Sequence, residues 1–332
     1  MKGSPNTEET SGCQVLPPAF RVARYRFRLA FERPWTADGW AGNALRGAFG
    51  WALKRGCCIV AQTDCRQCLL RRQCAYAYLF ETAPPTGSDR LRKLTDIPRP
   101  FVFEPIEAQA DDETTLEFGL VLVGRAIDYL PHFVFTFQEL GRRGLGREHV
   151  PFVVESLVAE ARNGAERCVY TAADGELSDV AAGVTGTDLS CPDHWGTKAP
   201  RHLTVRFLTP TRLRFEGEAL PEVEFHHLIR ALLRRLSALC YFHCDTELDV
   251  DFRGLIERAE SVRTTAARLE WCPQVRYSRR QEREVKISGF VGETHFEGEL
   301  APFVPLLAAG EWTHVGKGCV MGLGRFRVQA LA

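Results

Sequence analysis

Phe20-Arg21-Val22-Ala23-Arg24-Tyr25-Arg26-Phe27-Arg28-Leu29 alternates apolar with basic side chains, the period of a strand that turns one face to a core. Over 40–54, Leu45, Ala48, Phe49, Ala52 and Leu53 recur at helical spacing. Thr115 to Leu122 reads as the next strand, and a second helix carries Phe133, Phe137 and Leu140 up to Gly141. Strands over 151–158 and 167–173 follow. The order then returns: Leu203 to Leu213 is a strand, and 223–243 is a long helix with Phe225, Leu228, Ile229, Leu232, Leu236 and Leu239 on one face. Residues 267–299 read as strand material with a hairpin turning near Gly292, and a short helix near 303–309 precedes the last strand. In that strand Phe326, Val328 and Ala330 face one way and Arg325, Arg327 and Gln329 the other. Each half approximates β-α-β-β-α-β, so the expected class is α+β with two tandem ferredoxin-like, RRM-like domains.

At 332 residues, two domains are also what length predicts. The acidic, turn-rich stretch 174–200 is the expected boundary. It divides a disordered leader at 1–17 and an N-terminal domain at 18–190 from a C-terminal domain at 200–332. No tract is long and apolar enough for a bilayer, and Met1 to Asn6 lacks a signal-peptide core, so a cytoplasmic protein with no membrane partner is expected.

Forty-two basic residues balance 42 acidic ones, but the two signs are segregated along the chain. Residues 104–117 hold six acids and no base, whereas 201–214 hold four arginines and no acid. Such segregation permits a basic groove on a neutral protein.

Gly316, Gly318, Gly322 and Gly324 form G-x-G-x-x-x-G-x-G around Lys317 and before Arg325. Exposed N–H groups in a glycine-rich loop make a concavity for anions. A dinucleotide fingerprint needs a helix and strand after the loop, and too little chain remains; no P-loop pattern is present either, so no nucleotide cofactor is expected. A bulged strand entry is the other reading of the spacing.

The run Trp312 to Phe326 closely resembles the C-terminal signature of the CRISPR precursor-RNA-processing endoribonucleases, part of the repeat-associated mysterious protein (RAMP) superfamily. Leu45-Arg46-Gly47-Ala48-Phe49-Gly50, Tyr129-Leu130-Pro131 with Gly141 to Gly146, and Arg276-Tyr277-Ser278-Arg279-Arg280-Gln281 look like the same family and keep its order. The resemblance implies a glycine loop on the RNA backbone and cleavage within CRISPR repeats without a catalytic metal. The ribose 2′-hydroxyl would attack, leaving a 2′,3′-cyclic phosphate and a 5′-hydroxyl. It also implies repeat RNA as partner and a CRISPR effector complex as a further one. Arg46 falls in the family's first-helix motif. Arg276, Tyr277, Arg279 and Arg280, with Arg283 and Lys286, resemble an RNA-gripping hairpin; a charged edge strand is the plainer reading.

This chemistry needs a base, an acid and cations at the phosphorane. Many family members carry a histidine near the first helix, but residues 18–131 contain none. His314, two residues before the glycine loop, and His227, on a helix face with Arg230 and Arg234, are the catalytic candidates; His226 is equally open. Alternatively lysine and arginine act electrostatically, or the protein binds RNA without cutting it.

Cys58-x6-Cys65-x2-Cys68-x5-Cys74, an insert within 57–74, suits a structural zinc ion, with Cys57 able to replace Cys58. An iron–sulfur cluster and free thiols are the other readings. Four thiolates would close the coordination shell, so no catalytic role follows. A zinc-knuckle DNA-binding or regulatory protein is the remaining functional alternative.

Overall fold

The computed structural model describes residues 15–37, 39–60, 64–65, 67–82, 97–105, 114–178, 183–190, 200–215, 218–219, 222–278 and 283–331. The opening alternation becomes strand β1 (Arg21–Phe31). Helices α1 (Ala41–Cys57) and α2 (Ala75–Leu79), strands β2 (Phe101–Pro105) and β3 (Thr115–Val123), helix α3 (Leu130–Arg143) and strands β4 (Phe152–Glu160), β5 (Glu166–Thr171) and β6 (Val184–Thr185) follow. The sheet order is β2-β3-β1-β4-β5, with β6 also on β1. The neighbouring pairs run antiparallel. Its first four strands are the ferredoxin-like arrangement.

The second half repeats it. After the short helix α4 (Gly186–Ser190) come β7 (His202–Thr211), a small hairpin β8 (Arg214–Phe215) and β9 (Glu218–Ala219), and helices α5 (Phe225–His243) and α6 (Phe252–Glu260). Strands β10 (Arg263–Cys272), β11 (Val275–Ser278), β12 (Arg283–Lys286) and β13 (Gly289–Glu297), helix α7 (Val304–Thr313) and β14 (Phe326–Leu331) complete it. The sheet order β10-β13-β7-β14 is again ferredoxin-like, with β11–β12 as a separate hairpin. The protein therefore has the tandem ferredoxin-like fold.

On β1 the helix-facing residues Tyr25, Phe27 and Leu29 are fully buried. They join Phe49 of α1 and Phe133 and Phe137 of α3, where Phe49 stacks on Phe133 at 4.5 Å. Val22, Val102, Val121 and Val123 turn instead into a second core built on Leu228, Ile229, Leu232 and Leu236 of α5. One face of the first sheet is thus shared with the second domain. Val15 and Leu16, expected in a loose leader, are buried in that same shared core because apolar side chains there gain by leaving water.

Several expected boundaries move. The second helix keeps Arg142 and Arg143 in its last turn, and its capping glycine is Gly144, at φ +83°, rather than Gly141. The hairpin expected at Gly292 is absent: Gly292 lies inside β13, opposite Leu269. Its φ is +118°, and the pairing of β13 with β7 shifts register beside it. The glycine marks a bulge, not a turn. Strand β2 and helix α6 were not foreseen. No helix among the described residues is long and apolar enough to cross a membrane.

Candidate RNA-binding cleft

Helix α5 enters with His227, Arg230 and Arg234 at i, i+3 and i+7, one ridge of its surface. All three line a cleft of about 970 Å³ whose walls also carry Arg46 of α1, Arg99, Arg212, Arg214, Arg235 and Lys317. Seven arginines, one lysine and one histidine thus line it, with no aspartate or glutamate among the described residues. The two strand-end arginines come from the acid-free stretch 201–214 already visible in the sequence. Lys317 has its pKa pushed down by burial and by the neighbouring Arg214 and Arg212. The Nε of Arg212 is buried without a partner. Arg230 is paired with Glu260 at 2.6 Å, but the crowding of Lys317 with Arg212 and Arg214 costs electrostatic energy that a polyanion relieves.

The glycine loop divides in two. Gly316, Lys317 and Gly318 line the cleft, as does the short 3₁₀ turn Cys319–Met321. Gly322, Gly324 and Arg325 do not. At Gly322 a Cβ would stand 2.4 Å from Pro105 Cδ, and at Gly324 it would stand 1.8 Å from the Val315 carbonyl oxygen. These two glycines, at φ +82° and +73°, are required by chain packing. The Gly324 N–H donates to the Pro210 carbonyl and the Gly322 carbonyl accepts from the Thr209 hydroxyl.

His314 also lies away from the cleft. It is fully buried, and its Nε2–H donates to Glu104 Oε1 at 2.7 Å, while Nδ1 lies 3.2 Å from the Leu323 carbonyl. Glu104 takes Arg24 on its other side at 3.1 Å and Arg325 at 3.7 Å. Burial works to raise the Glu104 pKa, but Arg24, His314 and Arg325 hold it far below the usual carboxylate range. Burial pushes the His314 pKa down. Arg24 further donates to the Glu311 carbonyl and stacks on Trp312. The candidate base and the candidate RNA arginine, His314 and Arg325, are parts of a buried latch between the domains. Glu104, one of the six acids of the base-free stretch 104–117, is its centre.

His227 does face the cleft. The Glu224 backbone N–H donates to its Nδ1 at 3.2 Å, so the neutral ring carries its proton on Nε2. Burial and the neighbouring His226 lower its pKa. His226 is held by Glu224 Oε2 at 3.0 Å and accepts from Arg230 Nε at 3.2 Å.

The side chains of Arg276 and Tyr277, and residues Arg279 and Arg280 altogether, lie outside the described residues; β11 and β12 place the backbone of this segment in a hairpin. Cys58, Cys68 and Cys74 line a common hollow of about 850 Å³ together with Cys57. Cys65 packs with Cys57 and Cys74 against the first core. Among the described residues the only trio with metal-ligating atoms within 4.8 Å of one another is Glu224, His226 and His227, so the thiols stand farther apart. Donor chemistry fits zinc; holding it requires the insert to draw in.

Residues 205–326 match the family model of the CRISPR-associated endoribonuclease Cas6, and residues 20–182 match a family described as an N-terminal domain. An uncharacterized protein of Archaeoglobus fulgidus is 27% identical over 224 residues, which is 66% of this chain and 68% of that one. Among solved structures, a Cas6 product complex covers 94% of this chain and 99% of its own, with TM-score 0.57 and 16% identity. Thermus thermophilus Cas6 has the same coverage and identity with TM-score 0.53. A Cas6-RT-Cas1–Cas2 complex covers 96% of this chain and 30% of its own, with TM-score 0.54 and 12% identity. These likenesses carry the fold. Residues 205–326 thus match the CRISPR-associated Cas6 endoribonuclease family, and the N-terminal domain matches a separate family.

Proposed function

We propose that this protein binds the repeat of a precursor CRISPR RNA in the interdomain cleft and cleaves it there. The carrying observation is the cleft wall of seven arginines, Lys317 and His227 with no described acid. Phosphates would lie along Gly316 to Gly318, Lys317 and Arg212, with Arg46 facing them from the first domain. Metal-independent attack of the 2′-hydroxyl is the reading we adopt for the step: its oxygen bonds to phosphorus as the bond from phosphorus to the 5′-oxygen breaks, and its proton passes to a non-bridging phosphate oxygen. With Nδ1 committed to the helix cap, His227 can donate from Nε2 to a phosphate oxygen; it takes up a proton only by releasing that cap. Lys317, whose lowered pKa brings it nearer neutrality, is the better proton donor to the 5′-oxygen. The arginines stabilise the phosphorane charge. The hairpin carrying Arg276, Tyr277, Arg279 and Arg280 would grip the RNA beyond the cleft. In the insert, Cys58 or Cys57 with Cys65, Cys68 and Cys74 would hold a structural zinc ion, which tethers the loop and takes no part in cleavage.

The test is incubation of labelled repeat RNAs in EDTA, with product ends identified. Products ending in 2′,3′-cyclic phosphate and 5′-hydroxyl, absent from a 2′-deoxy substrate, are the expected result. RNA bound but uncut across several repeats would favour a second reading, a non-catalytic RNA-binding subunit of an effector complex. That reading draws on the cleft itself, in which no described histidine has a free basic nitrogen.

A further inference from the structure

The ferredoxin-like plan runs from first strand directly to first helix, yet in the second domain the β8–β9 hairpin interrupts that step between β7 and α5. The hairpin carries Arg214 and Phe215 into the cleft. Phosphate binding accounts for Arg214; it does not account for Phe215. Nor does it account for Phe252 and Ile256 of α6, partly buried apolar side chains that line the same cleft, as does Ala231. The cationic groove therefore also offers apolar surface, and Phe215 gives it an aromatic alcove between β8 and α5.

Its aromatic wall is held in place. The Phe215 ring centroid is 4.9 Å from that of His227, and the Arg230 guanidinium lies 5.4 Å from it. Arg230 is itself fixed by Glu260 at 2.6 Å and by His226. A half-buried aromatic ring next to phosphate-binding cations is the arrangement that single-stranded nucleic-acid sites use, with cations on the backbone and a π-face for the base.

We propose that this alcove is a nucleobase subsite: one base of the bound RNA, turned out of the strand, stacks at Phe215 while its flanking phosphates lie on Arg214, Arg212 and Lys317. The proposal rests on the RNA-binding reading of the cleft and adds the residue that reads a base.

The experiment compares two probes, a single-stranded oligoadenylate of about 12 nucleotides and an abasic ribose-phosphate oligomer of the same length. Binding is measured for the wild type, Phe215→Ala, Phe215→Trp and Lys317→Ala, each first checked for an unchanged unfolding temperature. Phe215→Ala should weaken oligoadenylate by about 5- to 150-fold, the range of one lost base stack, and leave the abasic oligomer unaffected. Phe215→Trp should restore most of the loss. Lys317→Ala should weaken both probes alike. The subsite is overturned if Phe215→Ala binds oligoadenylate as the wild type does, which would leave the alcove for a protein side chain, or if it loses both probes equally, which would make Phe215 a support for the phosphate wall. Failure of the wild type to bind either probe would instead remove the RNA reading, and the subsite with it.

Discussion

Glu104 and His314, 210 residues apart in sequence, meet across the domain boundary at 2.7 Å with neither side chain exposed beyond 2%. A carboxylate so buried is tolerable because Arg24 and Arg325 share it. Removing it strands Arg24 and His314 without their acceptor. Glu104→Ala should therefore destabilise the protein by about 3–5 kcal/mol, as expected for breaking a buried pair from one side. Denaturant unfolding measures this; a loss below ~1 kcal/mol would show that the latch is solvated and dispensable.

His243 gives the pH dependence. Its Nε2–H donates to the Pro98 carbonyl at 2.8 Å, its Nδ1 faces the Tyr78 hydroxyl at 3.3 Å, and burial lowers its pKa to about 4. The native state thus binds fewer protons than the unfolded chain. The contribution is full above the ordinary histidine value and is lost as pH falls from about 6.5 to about 4, amounting to roughly 3 kcal/mol. Unfolding free energy followed from pH 7 to 4 should fall, and His243→Gln, which keeps a donor toward Pro98, should flatten that fall. An unchanged slope in the variant would assign it to other groups, His314 and Glu104 first, whose lowered pKa values act in the same direction.

The two glycine pairs of the loop should separate stability from binding. Gly324→Ala sets a methyl against the Val315 carbonyl at φ +73°, and Gly322→Ala sets one against Pro105 and Phe103. Each should cost about 2–4 kcal/mol with RNA affinity retained in the folded fraction. Gly318→Ala meets only the flexible ends of Leu323 and Met321. It should cost about 1–2 kcal/mol for its backbone conformation, and it should weaken RNA binding. Equal RNA defects in all three would mean that the loop acts as one unit.

Local periodicity carried most of what was legible. The His227–Arg230–Arg234 ridge follows from helical spacing alone, and Arg212 and Arg214 lay in a stretch without acids. Both feature sets depend on residues near one another in sequence. Glu104–His314 does not: its partners come from different domains, and a buried glutamate looks like any surface acid until the fold supplies Arg24. Strand β2 has no sequence signal for a related reason: Phe101–Pro105 is only five residues long and buried through its first four, so it shows no alternation. The catalytic assignment to His314 failed because nearness in sequence to the glycine loop does not decide which side of the loop a residue takes.

For the cysteine insert, purified protein should contain about one zinc ion per chain by elemental analysis. Cys65→Ser with Cys74→Ser should lose the metal and lower the unfolding temperature. Because α2 begins directly after Cys74 and Phe80 beyond it lies under Arg46 at 4.6 Å, the loss should also weaken RNA binding modestly. Protein free of metal but equally stable would leave these residues as plain thiols.

Lys317 reports on the cleft most directly. Its amide N–H is taken by the Arg212 carbonyl, which fixes the loop, so its ammonium is the part left for the ligand. Lys317→Ala should then weaken RNA of every sequence alike, without changing which repeat is preferred. Phosphate neutralisation by one lysine releases about one counterion, so the slope of log affinity against log salt should become shallower by roughly one unit. Arg212→Ala should do the same, and the double variant should change the slope by about two. A sequence-dependent loss with the salt slope intact would place Lys317 against a base edge and move the phosphate chain to the other lining cations, Arg46 and Arg99 among them.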